Sequence, residues 1–325
     1  MDIYFKEKYG SLYESESQSS IENYKYQNAY GTIQYLFLKK KIPIMLSDEQ
    51  SYYDISTPYG YGGPIIIDTQ NKQALIDGFN TEFNKYCLDN NIVSEFIRFH
   101  PIKENALDFM RIYNPIKDRM TVGTCLKYKE NFFAKEFSKS TRKRIRSILN
   151  NPDIRYTLEV SPCNLNDFIT IYYSTMDRNN AGDFYYFDDD YFKKLLSNFK
   201  NDILLCKVYY KDKIIGSSLN LLSDNVIHVH LSGTDTKHLF LSPAYLIKYA
   251  VAEWGVENNY ELVHYGGGKT NKDDDNLLAF KKKFSKNTSF DFYIGKKIRN
   301  RVIYEMLEKE VSSTDSSFFP SYRQN

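Results

Sequence analysis

The sequence predicts an α/β (α+β) chain built twice, as two tandem domains of mixed, mostly antiparallel sheets flanked by helices. Three observations carry this. First, two strand–turn–strand runs resemble each other, "LFLKKKIPIML" at Leu36–Leu46 and "VYYKDKIIGSSL" at Val208–Leu219, with "FLKKKIP" lying over "YYKDKII". Second, each run is followed by a loop or strand, then a helix, then a further strand. Third, both helices end in Asn-Asn, at Asn90-Asn91 and Asn258-Asn259, and matching positions lie about 170 residues apart, close to one domain length.

In the first copy the hairpin leads into the Gly-rich turn "STPYGYGGP" (Ser56–Pro64). The helix "NKQALIDGFNTEFNKYCLDNN" and the strand "IVSEFIRFHP" follow. In the second copy the strand "NVIHVHLSGT" follows the hairpin. Then come the loop "GTDTKHLF", the helix "SPAYLIKYAVAEWGVENN" and the strand "YELVHYGGG". Between the copies, "FAKEFSKSTRKRIRSILNN" reads as one bridging helix. Phe137, Thr141, Ile145 and Ile148 form one stripe, and Lys135, Lys139, Arg142 and Arg146 another. The expected partition is therefore a first domain over 1–132, a basic bridging helix over 133–151, a second domain carrying the active site over 152–310, and a loosely held tail over 311–325.

Composition bounds the function. The 325 residues include 43 basic and 41 acidic side chains, a net charge of +2, so any polyanion site is a local patch rather than a global property. Cys87, Cys125, Cys163 and Cys206 are scattered, with no CxxC, which argues against a structural zinc site and a disulfide scaffold. No apolar run is long enough for a signal peptide or a membrane span. The expectation is a cytoplasmic protein without transmembrane segments, peripheral membrane contact remaining open.

Four places could carry chemistry. Ser242 and Pro243 read as N-cap and first residue of a helix, with Lys237 in the loop before it. That suits either an anion site or an ordinary capped helix. His228 and His230 alternate along one strand. No third ligand is near in sequence, so a hydrogen-bonding surface or a base at His230 is expected rather than a metal site. Tyr59 and Tyr61 sit in a Gly/Pro turn, either as a stacking platform or as packed turn residues. In "HYGGGKTNKDDDNLLAFKKKFS", three glycines permit close backbone approach and a polar loop follows. Phe280 and Phe284, at i and i+4, anchor a helical turn around Lys281, while Lys282 and Lys283 read as a solvated face.

Four segments, in order, resemble the FemAB-like branch of the GNAT acyltransferase superfamily: "TPYGYGG", "STRKRIR", "STMDRNNAGDFYYF" (Ser174–Phe187) and "GGGKTNKDDDNLLAFKKKF". The resemblance spans nearly the whole chain and implies two GNAT-like domains related by duplication. It also implies transfer of an acyl or aminoacyl group to an amine of a cell-envelope or polysaccharide precursor, without a metal or a permanently bound cofactor. The co-substrate is then acyl-CoA or aminoacyl-tRNA. By this resemblance Lys281 lies in the active-site region, and the strand reading adds His230 as a second catalytic candidate. Gly233, Lys237, Ser242 and Ala244 are donor-binding candidates, and Tyr59, Tyr61, Arg178, Tyr265 and Gly267 substrate-binding ones. The long helical arm of some tRNA-using members has no counterpart here, and the loop before Ser242 lacks a Gly-rich pyrophosphate signature. An aminoacyl-tRNA-dependent peptidoglycan-bridge transferase and a non-catalytic glycan-binding module stand as alternatives.

Overall fold

The computed structural model describes residues 1–15, 18–272, 274–311 and 318–324. In chain order the elements that matter are β1 (Ser19–Asn28), β2 (Gly31–Lys41), β3 (Tyr53–Ser56), β4 (Ile65–Thr69), α1 (Lys72–Asp89), β5 (Ile92–Arg98) and β6 (Ile116–Cys125). Then come α2 (Lys139–Leu149), β7 (Ile154–Val160), α3 (Asn166–Arg178), α4 (Asp189–Asn198), β8 (Ile203–Tyr210), β9 (Lys213–Ser223) and β10 (Val226–Thr234). The last are α5 (Pro243–Glu257), β11 (Leu262–Gly266), α6 (Asn276–Lys282), β12 (Ser289–Ile298) and α7 (Arg301–Lys309). The chain folds into two compact units. One is Tyr4–Asp118 with Asp291–Asn325, and the other is Arg119–Phe290 with Met1–Ile3.

In the Tyr4–Asp118 unit the strands run β1-β2-β3-β5-β12, with β4 also on β2. Neighbours are antiparallel except β3 and β5, which are parallel and joined across α1. Leu75, Phe79, Phe83 and Cys87 recur every fourth residue of α1 and pack on Ile33, Tyr35 and Phe37 of β2. Asn71 caps the helix start by accepting from the Ala74 amide at 3.2 Å. A buried ion pair braces this unit. The Arg299 guanidinium donates to Glu95 Oε2 from Nε at 2.8 Å and Nη2 at 2.5 Å, and also to Asn84 Oδ1. Tyr113 Oη donates to the other Glu95 oxygen at 2.9 Å.

The Arg119–Phe290 unit repeats the plan, in the order β6-β11-β10-β9-β8-β7. The hairpin β8–β9 and the strand β10 are antiparallel neighbours, α5 crosses over, and β11 returns parallel to β10. β6 then closes against β11 antiparallel, as β12 closes against β5. Both crossover helices stop for one reason: Asn91 (φ 54) and Asn259 (φ 61) adopt the left-handed conformation just beyond the C-cap, which asparagine tolerates better than most residues. The twinned α/β fold expected from the sequence is thus the observed one.

Three expectations are corrected. The first hairpin does not turn at Lys39–Lys41, which continue β2. Lys39 pairs with Glu22 at 3.4 Å and lies over the Tyr53 ring. The real turn is at Ala29-Tyr30, where the Asn28 side chain accepts from the Tyr30 amide and Gly31 takes φ 141. The basic bridging helix is two helices, Phe132–Glu136 and α2. Phe137 is extended between them, and Ser138 restarts the helix as N-cap, accepting from the Thr141 amide. In the 311–325 tail, residues 312–317 and 325 lie outside the described residues, but 318–324 are not loose. Tyr322 is buried against Tyr304, and Tyr322 Oη and Arg323 Nε both donate to the Asp54 carboxylate. Among the described residues, no helix is long and apolar enough to cross a membrane.

Candidate active site

The site begins at a break in strand pairing. β10 pairs with β11 only from Val226 to His228, and a bulge follows between Val229 and Leu231. Beyond it, β10 stays with β9 as far as Thr234 and leaves β11 behind. A cavity of about 170 Å³ opens there, between Val229–Thr234, α5, Tyr265 and the start of α6. Its lining is largely apolar, with two lysines, Lys248 and Lys281, and no carboxylate.

Lys281 is placed by the segment that follows β11. Gly266 turns the chain at φ 72. A Cβ on Gly268 would lie 2.5 Å from the Asp275 carboxyl, so only glycine lets that carboxylate fold back. Asp275 accepts from the Thr270 and Leu278 amides at 2.7 and 2.8 Å, tying the loop to the α6 N-terminus. One turn on, Phe280 and Phe284 meet at 5.3 Å between ring centroids, and Phe284 is fully buried against Phe137 at 5.2 Å. Between them the Lys281 ammonium donates to the Gly267 carbonyl at 2.6 Å. Burial lowers its pKa from 10.5 to about 8, a drop partly offset by Asp275.

Lys248 comes from α5, where it is 8% exposed, and its Nζ sits 4.1 Å from the centroid of the Tyr265 ring. Burial, with the Lys281 charge as a second cause, lowers its pKa from 10.5 to about 7. Tyr265 is held in place by a 2.6 Å hydrogen bond to Thr124 Oγ1, which itself donates to the Phe284 carbonyl at 2.7 Å. His230 forms another wall. Its Nε2 lies 2.6 Å from Tyr191 Oη, and burial, aided by His228, lowers its pKa to about 3. The ring is therefore neutral at pH 7 and serves as a hydrogen-bonding group.

The other expected residues separate into three groups. Ala244 and Tyr265 line the cavity with His230 and Lys281, and Gly267 supplies the carbonyl under Lys281. Gly233, Arg178 and Ser242 are occupied by the scaffold. A Cβ on Gly233 would strike the Ile171 carbonyl of α3 at 2.6 Å. Arg178 clamps the end of β10, donating to the Thr234 carbonyl at 2.7 Å and Thr234 Oγ1 at 3.1 Å. Ser242 does not cap α5 with its side chain. At φ 58 its hydroxyl turns away and accepts from Arg144 Nε at 2.9 Å. Lys237 is exposed on the one-turn helix before α5, outside the cavity lining. Tyr59 and Tyr61 belong to the other unit, half-buried, with Tyr61 packed edge-on against Phe292. Lys248 escaped the sequence reading, although it stands four residues after Ala244 and three before Val251, on the buried face of the helix.

Residues 135–282 match the model of the acetyltransferase (GNAT) domain, and the match contains every residue lining the cavity. No curated protein sequence matches the chain significantly. Among solved structures the chain is similar to FemX, at 14% identity over 94% of both chains with a TM-score of 0.69. It is also similar to the C-terminal domain of a putative lysylphosphatidylglycerol synthetase from Agrobacterium fabrum, at 11% identity over 91% and 92% of the chains with a TM-score of 0.56. A tandem GNAT protein from the clavulanic acid biosynthesis pathway shares 8% identity over 88% and 86%, with a TM-score of 0.51. At such identities the likeness is one of fold. Residues 135–282 thus form a GNAT acyltransferase domain. The chain as a whole shares its fold with FemX.

Proposed function

We propose that the protein transfers an acyl or aminoacyl group to an amine of a cell-envelope or polysaccharide precursor, and that the transfer takes place in the cavity beside β10. The observation that carries this reading is the Lys281 ammonium, fixed on the Gly267 carbonyl inside an apolar cavity of the GNAT domain. An amine attacking an activated carbonyl generates an oxyanion. An ammonium with N–H groups to spare, in a site of low polarity, stabilises that charge far more than water does. At pH 7, below its pKa of about 8, Lys281 is mostly charged and suited to that role. No covalent intermediate is required, so a side-chain nucleophile is not needed. The β10 edge left open beyond His228 offers a path for an extended donor chain.

The donor is a thioester of CoA or an aminoacyl ester of tRNA. One feature favours the second. Lys139, Lys143 and Arg146 are exposed along α2, and Glu136, the one acid between 133 and 151, is buried with its carboxylate bound to the Asn287 amide and Thr288 hydroxyl. Mass spectrometry of reactions containing a model primary amine and either acyl-CoA esters or aminoacyl-tRNAs tests the proposal. The expected product is the amide from one donor class. If tRNA is the donor, its apparent affinity falls steeply with salt. Absence of amide from both classes contradicts the reading.

A further inference from the structure

Lys248 has no obvious structural duty. It is a buried lysine on the core-facing side of α5, and among the described residues its Nζ makes no hydrogen bond or ion pair. Its Nζ lies 4.1 Å from the centroid of the Tyr265 ring and 5.8 Å from that of Phe284. An ammonium in such a place loses hydration without gaining an acceptor, which favours the neutral amine. The groups around it agree. From α6 comes Lys281, a like charge. From β10 comes His230, neutral and bonded to Tyr191 of α4. From β11 comes the Tyr265 ring. The Asp275 carboxylate acts on Lys281 but is bound to the Thr270 and Leu278 amides.

We propose that Lys248 is the proton acceptor of the acyl transfer, taking a proton from the attacking amine while Lys281 faces the oxyanion. This rests on the acyl-transfer reading above and adds the base which that reading lacks. The amine lone pair forms the C–N bond as the carbonyl π electrons move to oxygen, and the amine N–H proton passes to the Lys248 Nζ lone pair. Collapse re-forms C=O and breaks the donor C–S or C–O bond. The leaving thiolate or alkoxide then takes the proton back from Lys248, so the products are an amide and a free thiol or hydroxyl. The Tyr265 face stabilises the ammonium while it exists, through its π electrons. The two lysines thus divide the work: near pH 7 about half of Lys248 is the neutral amine, while Lys281 is largely charged. Rate rises with pH as Lys248 loses its proton and falls as Lys281 loses its own, giving a narrow bell.

Two measurements test this. The first needs no substrate: competitive acetylation of the intact protein with trace acetic anhydride across pH, read by peptide mass spectrometry. Lys248 is expected to gain reactivity with a midpoint near 7, far below the usual lysine value. A Lys248 midpoint near 10 overturns the proposal. The second compares wild type with Lys248→Met in the amide-forming assay. The expected result is a loss of about 100-fold or more at pH 7, with the acidic limb of the pH–rate profile gone and the fold intact by circular dichroism. A Lys248→Met enzyme that keeps the rate and acidic limb of an active wild type overturns the proposal alone. A wild type with the expected Lys248 midpoint but no amide from any donor overturns the acyl-transfer reading beneath it.

Discussion

Replacing Lys281 with alanine is expected to slow amide formation by about 100- to 1000-fold while leaving the melting temperature unchanged or slightly higher. The rate loss follows from removing a preformed donor aimed into an apolar cavity, where no water of comparable orientation replaces it. The stability result follows from linkage. Folding lowers the Lys281 pKa from 10.5 to about 8. Between those values the unfolded chain binds more protons than the folded one, so this residue makes stability rise with pH across that window and holds it lowest below pH 8. Alanine removes that cost at pH 7, at the loss of one hydrogen bond to the Gly267 carbonyl. Differential scanning fluorimetry from pH 7 to 10, beside steady-state rates, checks both halves. A destabilised Lys281→Ala with proportionate activity loss would assign Lys281 to the scaffold.

Arg299→Ala is expected to cost about 3–5 kcal/mol of folding stability, read as a lower midpoint in urea. Glu95 is fully buried, and Arg299 supplies two of the hydrogen bonds to one of its oxygens. Truncating the arginine leaves a buried carboxylate with Tyr113 as its remaining partner of that group. Removing both charges, as Arg299→Met with Glu95→Leu, is expected to restore much of the loss, since the desolvation cost goes with the pair. Arg301→Ala is the control. Its partner Glu305 is on the exposed face of α7, and its effect is expected within about 1 kcal/mol.

The twinned plan was legible because its markers are local. The Asn-Asn stops depend on one residue's tolerance of left-handed backbone, and the stripes of α1 and α5 repeat at helical spacing. The first hairpin was misread because three lysines in a row have turn-like composition. In the fold they extend along β2, their charges kept half in water or paired across the strand, and the true turn lies at Asn28–Gly31. The strands that complete the pairing in each unit, β12 against β5 and β6 against β11, lie far in sequence from those partners, and no local pattern names them. At the site, Phe280, Lys281 and Phe284 announce themselves by an aromatic pair spaced around a cation. Lys248 does not, because one lysine inside an apolar helix looks like a surface residue until its register against Ala244 and Val251 is counted. Ser242 had the composition of a cap, but its backbone conformation sent the hydroxyl to Arg144.

The most direct test of the cavity as the place of acyl transfer is to block it without touching either lysine. Ser232 is exposed on the cavity lining, in the part of β10 beyond the bulge. Amide formation by Ser232→Trp and wild type should be compared by mass spectrometry at equal protein concentration, with melting temperatures measured in parallel. The expected result is an unchanged melting temperature and turnover reduced at least about 100-fold, since an indole there excludes donor and amine from the near-attack arrangement. Wild-type turnover by a stably folded Ser232→Trp would place the chemistry elsewhere.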